Sequence, residues 1–241
     1  MIRTFYMSVL TLSLGFSTCL GQSAKNPSLK SLRIEFRHVI DSERMQLGSS
    51  YKNSFGEEYT IKTFKYYISN ISLKTAEGKT IQLKGSHLID EADSISKVVF
   101  IQVPKAKFRQ LSFLVGVDSI YNVSGTQTGD LDPLKGMFWT WNSGYIMAKL
   151  EASSPSSSAV NNKVEYHIGG YKASQKTSRK VVLMLPQSDL NEINIEANAN
   201  RWFDGKHELK IAGNAVCTTP GKLATDFADN YGVMFKLSPE N

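Results

Sequence analysis

Leu32, Arg33, Ile34, Glu35, Phe36, Arg37 and His38 alternate apolar and charged side chains until the histidine takes the next apolar position. Successive side chains of a strand point to opposite faces, so this run has one face for a core and one for water. The pattern returns at Leu111, Phe113, Val115 and Val117, set against Ser112, Gly116 and Asp118. Shorter runs of the same character predict strands at 59–68, 71–73, 80–83, 98–103, 138–141, 145–151, 163–168, 181–185, 192–197 and 208–211. Glu77, Gly78 and Lys79 mark a tight hairpin, and the serine-rich stretch 153–162 a loop between two strands. One helix is expected near the end, where Thr219 can cap, Pro220 suits the first turn, and Leu223, Phe227 and Tyr231 recur at a helical period. Strands this short and evenly spaced predict an all-β fold, an antiparallel β-sandwich with one short C-terminal helix. No repeat or composition break divides residues 28–238, which read as a single domain.

The 241 residues are 41% hydrophobic and 21% charged, enough apolar content for a core and too little bias for a disordered or fibrous chain. Ahead of the strands, Arg3 precedes an apolar run from Tyr6 to Phe16 and the small residues Ser17, Thr18, Cys19 and Gly21. Residues 1–21 therefore read as a secretory signal peptide cleaved after Gly21, with lipidation of Cys19 as the alternative. The apolar run is shorter than the roughly 20 residues a membrane helix needs, so no transmembrane anchor is expected. The protein is expected outside the cytoplasm, in the periplasm or at the cell surface, as a monomer. Its formal charge of +6 falls by one with Arg3, and the basic residues are scattered, which argues against nucleic acid as a partner. Loss of Cys19 leaves Cys217 without a disulfide partner.

Spacing excludes the common enzyme templates: no histidine pair of a zinc protease, no phosphate-binding or dinucleotide loop and no nucleophile elbow occurs. No catalytic group is expected. Of the four histidines, His38 shares the apolar face of its strand, where it is either a core residue bonded to neighbours or a metal ligand. His167 lies opposite Tyr166 and Ile168, on the same face as Glu165. His87 and His207 sit in turn-like, polar surroundings and read as surface residues. In MFWTWNSGY, Met137, Trp139 and Trp141 share a face at period two, as core or as a ligand-binding stripe. Asp130 and Asp132 read as an Asp-rich turn, because the other oxygen ligands of a calcium loop are missing.

Several segments bear a resemblance: FRHVIDS around His38, KYYISNISL at 65–73, LDPLKGMFWTWNSGYI at 131–146, YHIGG at His167 and RWFDG at Trp202. Together they resemble the MbnP-like family of exported bacterial proteins, over nearly the whole chain after the leader. The resemblance implies a β-sandwich that binds copper through imidazoles and a kynurenine, formed from tryptophan by a partner of the di-haem cytochrome c peroxidase type. Carried onto this chain, the imidazoles are His38 and His167 and the tryptophan is Trp139 or Trp141. Copper handling without turnover is the function so implied. The alternative is a metal-free adhesive or ligand-binding sandwich whose Trp139, Trp141 and Tyr145 form an aromatic platform.

Overall fold

The computed structural model describes residues 28–141, 144–186 and 189–239; the leader read from residues 1–21 lies outside them. In chain order the strands are β1 (Leu29–Ile40), β2 (Glu43–Arg44), β3 (Ser50–Lys52), β4 (Glu58–Thr75), β5 (Thr80–Gln82), β6 (Ser86–Asp90) and β7 (Val98–Pro104). They continue as β8 (Phe108–Val115), β9 (Phe138–Trp139), β10 (Gly144–Ser153), β11 (Lys163–Gly169), β12 (Arg179–Met184), β13 (Glu192–Asn198), β14 (Val216–Cys217) and β15 (Phe235–Leu237). The helices are α1 (Ser119–Val123), α2 (Arg201–Asp204) and α3 (Lys222–Tyr231). The chain is mostly β, as its alternation requires.

Two sheets share the core. The smaller centres on β1, whose first half pairs antiparallel with β7 and whose end pairs with β2. Its other edge runs parallel to β13, with His38 opposite Ala197, and β15 extends the sheet beyond β13. The larger sheet runs β12-β8-β4-β10-β11-β14, with β3, β5 and β6 on β4 and β9 on β10. Phe36 of β1 bridges the sheets, its ring 6.3 Å from Tyr66 of β4 and 5.7 Å from Phe113 of β8. One apolar cluster runs from Leu32 through to Phe235. Under it, α3 seals the end of the sheets with Phe227 and Tyr231, both buried against Trp202 of α2.

The sheets depart from the purely antiparallel arrangement. β1–β13 and β11–β14 are parallel, which is open to strands joined by long excursions and closed to hairpin neighbours. The runs 59–68 and 71–73 fuse into the single strand β4, which bends at Asn70, held at φ 51 while its Nδ2 donates to Asp118 over 2.7 Å. The alternating run 208–211 forms no strand: Leu209 and Ile211 are buried from a loop and turn. The expected strand 138–141 shrinks to β9, and α1 and α2 join the expected C-terminal helix.

A second, smaller cluster lies on the opposite side of the larger sheet from the main core. There Tyr67, Val117, Leu131, Met137, Trp139, Tyr145 and Met147 pack beneath the segment 118–139. Asp132 serves this segment as a cap, accepting from Leu134 N over 2.9 Å, and Gly136 ends the turn at φ 71. This roof delivers the tryptophans to the sheet surface.

Candidate metal centre

On the outward face of β10 and β11, Glu151 stands directly opposite Glu165. Like charges at directly opposed positions destabilise a sheet unless a cation or a donor sits between them. The donor here is His167, two residues along β11, whose Nε2 lies 2.7 Å from Glu151 Oε1 and 3.8 Å from Glu165 Oε1. One ligand atom from each of the three lies within 4.8 Å of the other two. Thr63 of β4 donates to Glu151 Oε2 over 2.8 Å, and Lys163 holds Glu165 Oε2 over 2.6 Å. In both carboxylates the second oxygen is thus fixed and the first faces the imidazole. The bond from His167, above all, holds the Glu151 carboxyl down to about 2, so it is anionic at any physiological pH. Lys149, opposite His167 on β10, reaches from 3.8 Å beside Glu151 to the Gly136 carbonyl at 2.7 Å and so ties the roof to the site.

His167 and Glu165 open into a hollow of about 440 Å³ lined also by Trp139, Trp141, Thr218 and Thr219. The two indoles are 5.3 Å apart and tilted by 39°. They are not equivalent on a shared face: Trp139 is 6% exposed in β9, whereas Trp141 lies beyond the strand and is 62% exposed. The Trp139 ring packs by its edge against Gly169, where even a methyl group would come within 2.5 Å of the ring.

A family model described as MbnP matches residues 29–219. The chain belongs to the MbnP family. Among solved structures, MbnP from Methylosinus trichosporium is similar with a TM-score of 0.58 and 15% identity, over 79% of this chain and 83% of that one, a likeness of fold. No curated protein sequence matches the chain.

Placed in this MbnP fold, three of the four residues singled out in the sequence meet: His167, Trp139 and Trp141 line one hollow. His38 stands in the other sheet, 2% exposed, with Nδ1 2.7 Å from Glu91 and Nε2 2.9 Å from Tyr66. Burial pushes its pKa below the ordinary value, and an ionised Glu91 can only accept. Nδ1 therefore carries the proton, and Nε2 spends its lone pair on the Tyr66 hydroxyl. The His38 ring also meets Phe64 edge-on at 4.8 Å. Among the described residues, His38 belongs to no cluster of three metal-ligating groups. The residues sequence reasoning missed are Glu151 and Thr63. Pairing the strands around the 153–162 loop would have set Glu151 against Glu165 and exposed the like-charge clash. Trp202 and Phe203 of the RWFDG motif are fully buried, with their rings against Tyr166 and Phe227.

Among the described residues no helix is long and apolar enough to cross a membrane.

Proposed function

We propose that this chain is an exported copper-binding protein, acting by metal capture and without turnover, whose ion is held at His167 with Glu151 and Glu165 beneath Trp139 and Trp141. The observation that supports it best is the opposed carboxylate pair with an imidazole aimed between them. The donor set fits the metal: one imidazole nitrogen and two carboxylate oxygens suit Cu(II), whose affinity for such N,O ligands stands highest among the divalent first-row ions. Thr63 and Lys163 orient the carboxylates from behind, the role outer partners play at metal sites. The Cys217 thiol is not among these donors; burial pushes its pKa up to about 11, which keeps it protonated.

An indole has no lone pair to offer a metal, so a tryptophan joins the ligands only after oxidation to kynurenine. Trp141 is the one an external oxidant reaches, because Trp139 is enclosed between the roof and Gly169. Membership of the MbnP family supports a partner of the di-haem cytochrome c peroxidase type, acting in the periplasm or at the cell surface. In this reading His38 is a core residue that sets the inner packing of β1, not a copper ligand.

Copper titration of the unmodified wild-type chain and of His167→Ala, Glu151→Gln and His38→Ala tests the site. The expected result is at least tenfold weaker binding for the first two variants and wild-type binding for His38→Ala. Equal binding by His167→Ala would remove the hollow from the metal site. Absence of copper binding in every form, including one carrying kynurenine, would favour the aromatic platform of an adhesive protein.

A further inference from the structure

A second group of metal-ligating side chains stands apart from the hollow, between α3 and the loop that follows α2. His207 Nε2 is 3.1 Å from Asp229 Oδ2 and 3.6 Å from Asp226 Oδ1, and one ligand atom from each of the three lies within 4.8 Å of the others. The two aspartates are three apart on α3, hence on one helical face.

The surroundings hold all three in place. Asn230, fully buried on α3, accepts from the backbone N–H of Lys206 at 2.7 Å and of His207 at 2.8 Å. Its Nδ2 donates back to the carbonyls of Trp202 and His207. Gly205 lets the loop come this close, since a Cβ there would lie 2.7 Å from Asn230 Cα. The helix that carries the carboxylates thus also fixes the backbone of the histidine. Arg179 Nε takes Asp229 Oδ1 at 2.7 Å and leaves Oδ2 turned to the imidazole. Lys222 covers Asp226 at 2.5 and 2.7 Å, but its side chain is 81% exposed and can swing away into water, so the pair contributes little.

Arg179 and Lys222 serve the carboxylates from the side away from the imidazole. Nε2 carries at most one proton, which serves one carboxylate and leaves the other facing the ring without a donor from it. A divalent ion in place of that proton meets all three groups at once. We propose that His207, Asp226 and Asp229 form a second divalent-metal site, suited to a zinc-class ion with water completing four-coordination, which clasps α3 to the loop after α2. Arg179 and Asn230 are its orienting residues.

Zinc titration of the full chain by calorimetry, with thermal melting alongside, tests the site. His167→Ala is the background, so that zinc held in the hollow does not enter the comparison. The expected result is that His167→Ala binds zinc and melts higher with it, while adding His207→Ala or Asp226→Asn weakens binding at least tenfold and abolishes the rise. The same zinc affinity in the single and double variants, with circular dichroism showing both folded, would overturn the proposal. So would absence of zinc binding in His167→Ala. Should the His207→Ala form misfold, Asp226→Asn decides alone, and its outcome is independent of whether the hollow takes copper.

Discussion

Gly169→Ala puts a methyl group where Trp139 lies on the sheet, and the structure sets the size of the response. The new Cβ would sit 2.5 and 2.8 Å from two ring carbons of Trp139 and 2.8 Å from the carbonyl oxygen of Tyr145. Carbon atoms in good contact are about 3.5–4.0 Å apart, so the ring must retreat by roughly 1 Å, and the carbonyl, being backbone, cannot rotate away. Two responses compete. Expelling the indole would expose a side chain that buries about 150–250 Å², at a cost of about 4–6 kcal/mol for roughly 25 cal/mol/Å². Displacing ring and strand together costs about 1–3 kcal/mol, the usual range for overpacking. The smaller cost decides, so the indole stays covered but shifted. Urea unfolding should show a loss of about 1–3 kcal/mol with an unchanged slope, and tryptophan emission should change in the folded protein. Gly136→Ala is the contrast: there the obstacle is the left-handed backbone and not space, so about 1–2 kcal/mol is lost with emission unchanged. An unaltered midpoint and spectrum for Gly169→Ala would refute the packing of Trp139 on this glycine.

His38→Ala strips Glu91 and the buried Tyr66 hydroxyl of their shared partner and should cost about 3 kcal/mol in urea unfolding; a loss below 1 kcal/mol would refute the buried network. The same network gives a pH dependence: with the folded pKa of His38 below 6.5, the unfolded chain binds more protons, so stability is complete above pH 6.5 and falls as pH drops below it. Unfolding midpoints between pH 8 and pH 5 should show this decline in the wild type and a shallower one in His38→Gln; parallel profiles would count against it. Tyr166→Phe should leave stability unchanged or raise it by up to about 1 kcal/mol, because the buried Tyr166 hydroxyl has no hydrogen-bond partner among the described residues; a loss above 1 kcal/mol would show that it has one.

The one-face reading of Leu32, Ile34, Phe36 and His38 placed all four in the core, because strand period is a local property. The partners of His38 were not legible: Tyr66 and Glu91 come from β4 and the turn after β6, and no local pattern records which strands meet. Glu165 and His167 were visible as one face of β11, but the addition of Glu151 depends on the register of β10, which includes an irregularity between Ile146 and Ala148. Trp141 misled for a different reason. Period two holds only while a strand continues, and here β9 ends at Trp139. The run 208–211 shows the converse, with apolar alternation met by a loop whose Leu209 and Ile211 reach the core without a neighbouring strand. β14 and β15 are two and three residues long, too short to carry a periodic signal of their own.

The parallel pairing of β1 with β13 bears on the time at which the protein becomes a protein. β1 is made ahead of β2 through β15, yet the strand that flanks it along Arg33 to Val39 is made of residues 192–198, roughly 160 positions later. At about 5–20 residues per second, this neighbour is missing for on the order of 10–30 seconds. During that interval the second half of β1 lacks the strand that pairs with it along Arg33 to Val39 and presents bare amide and carbonyl groups on that edge. A strand edge left open in this way is a site for pairing with another chain until its own partner arrives. Closure then comes as one late event, when β13 and β15 arrive and complete the smaller sheet around β1.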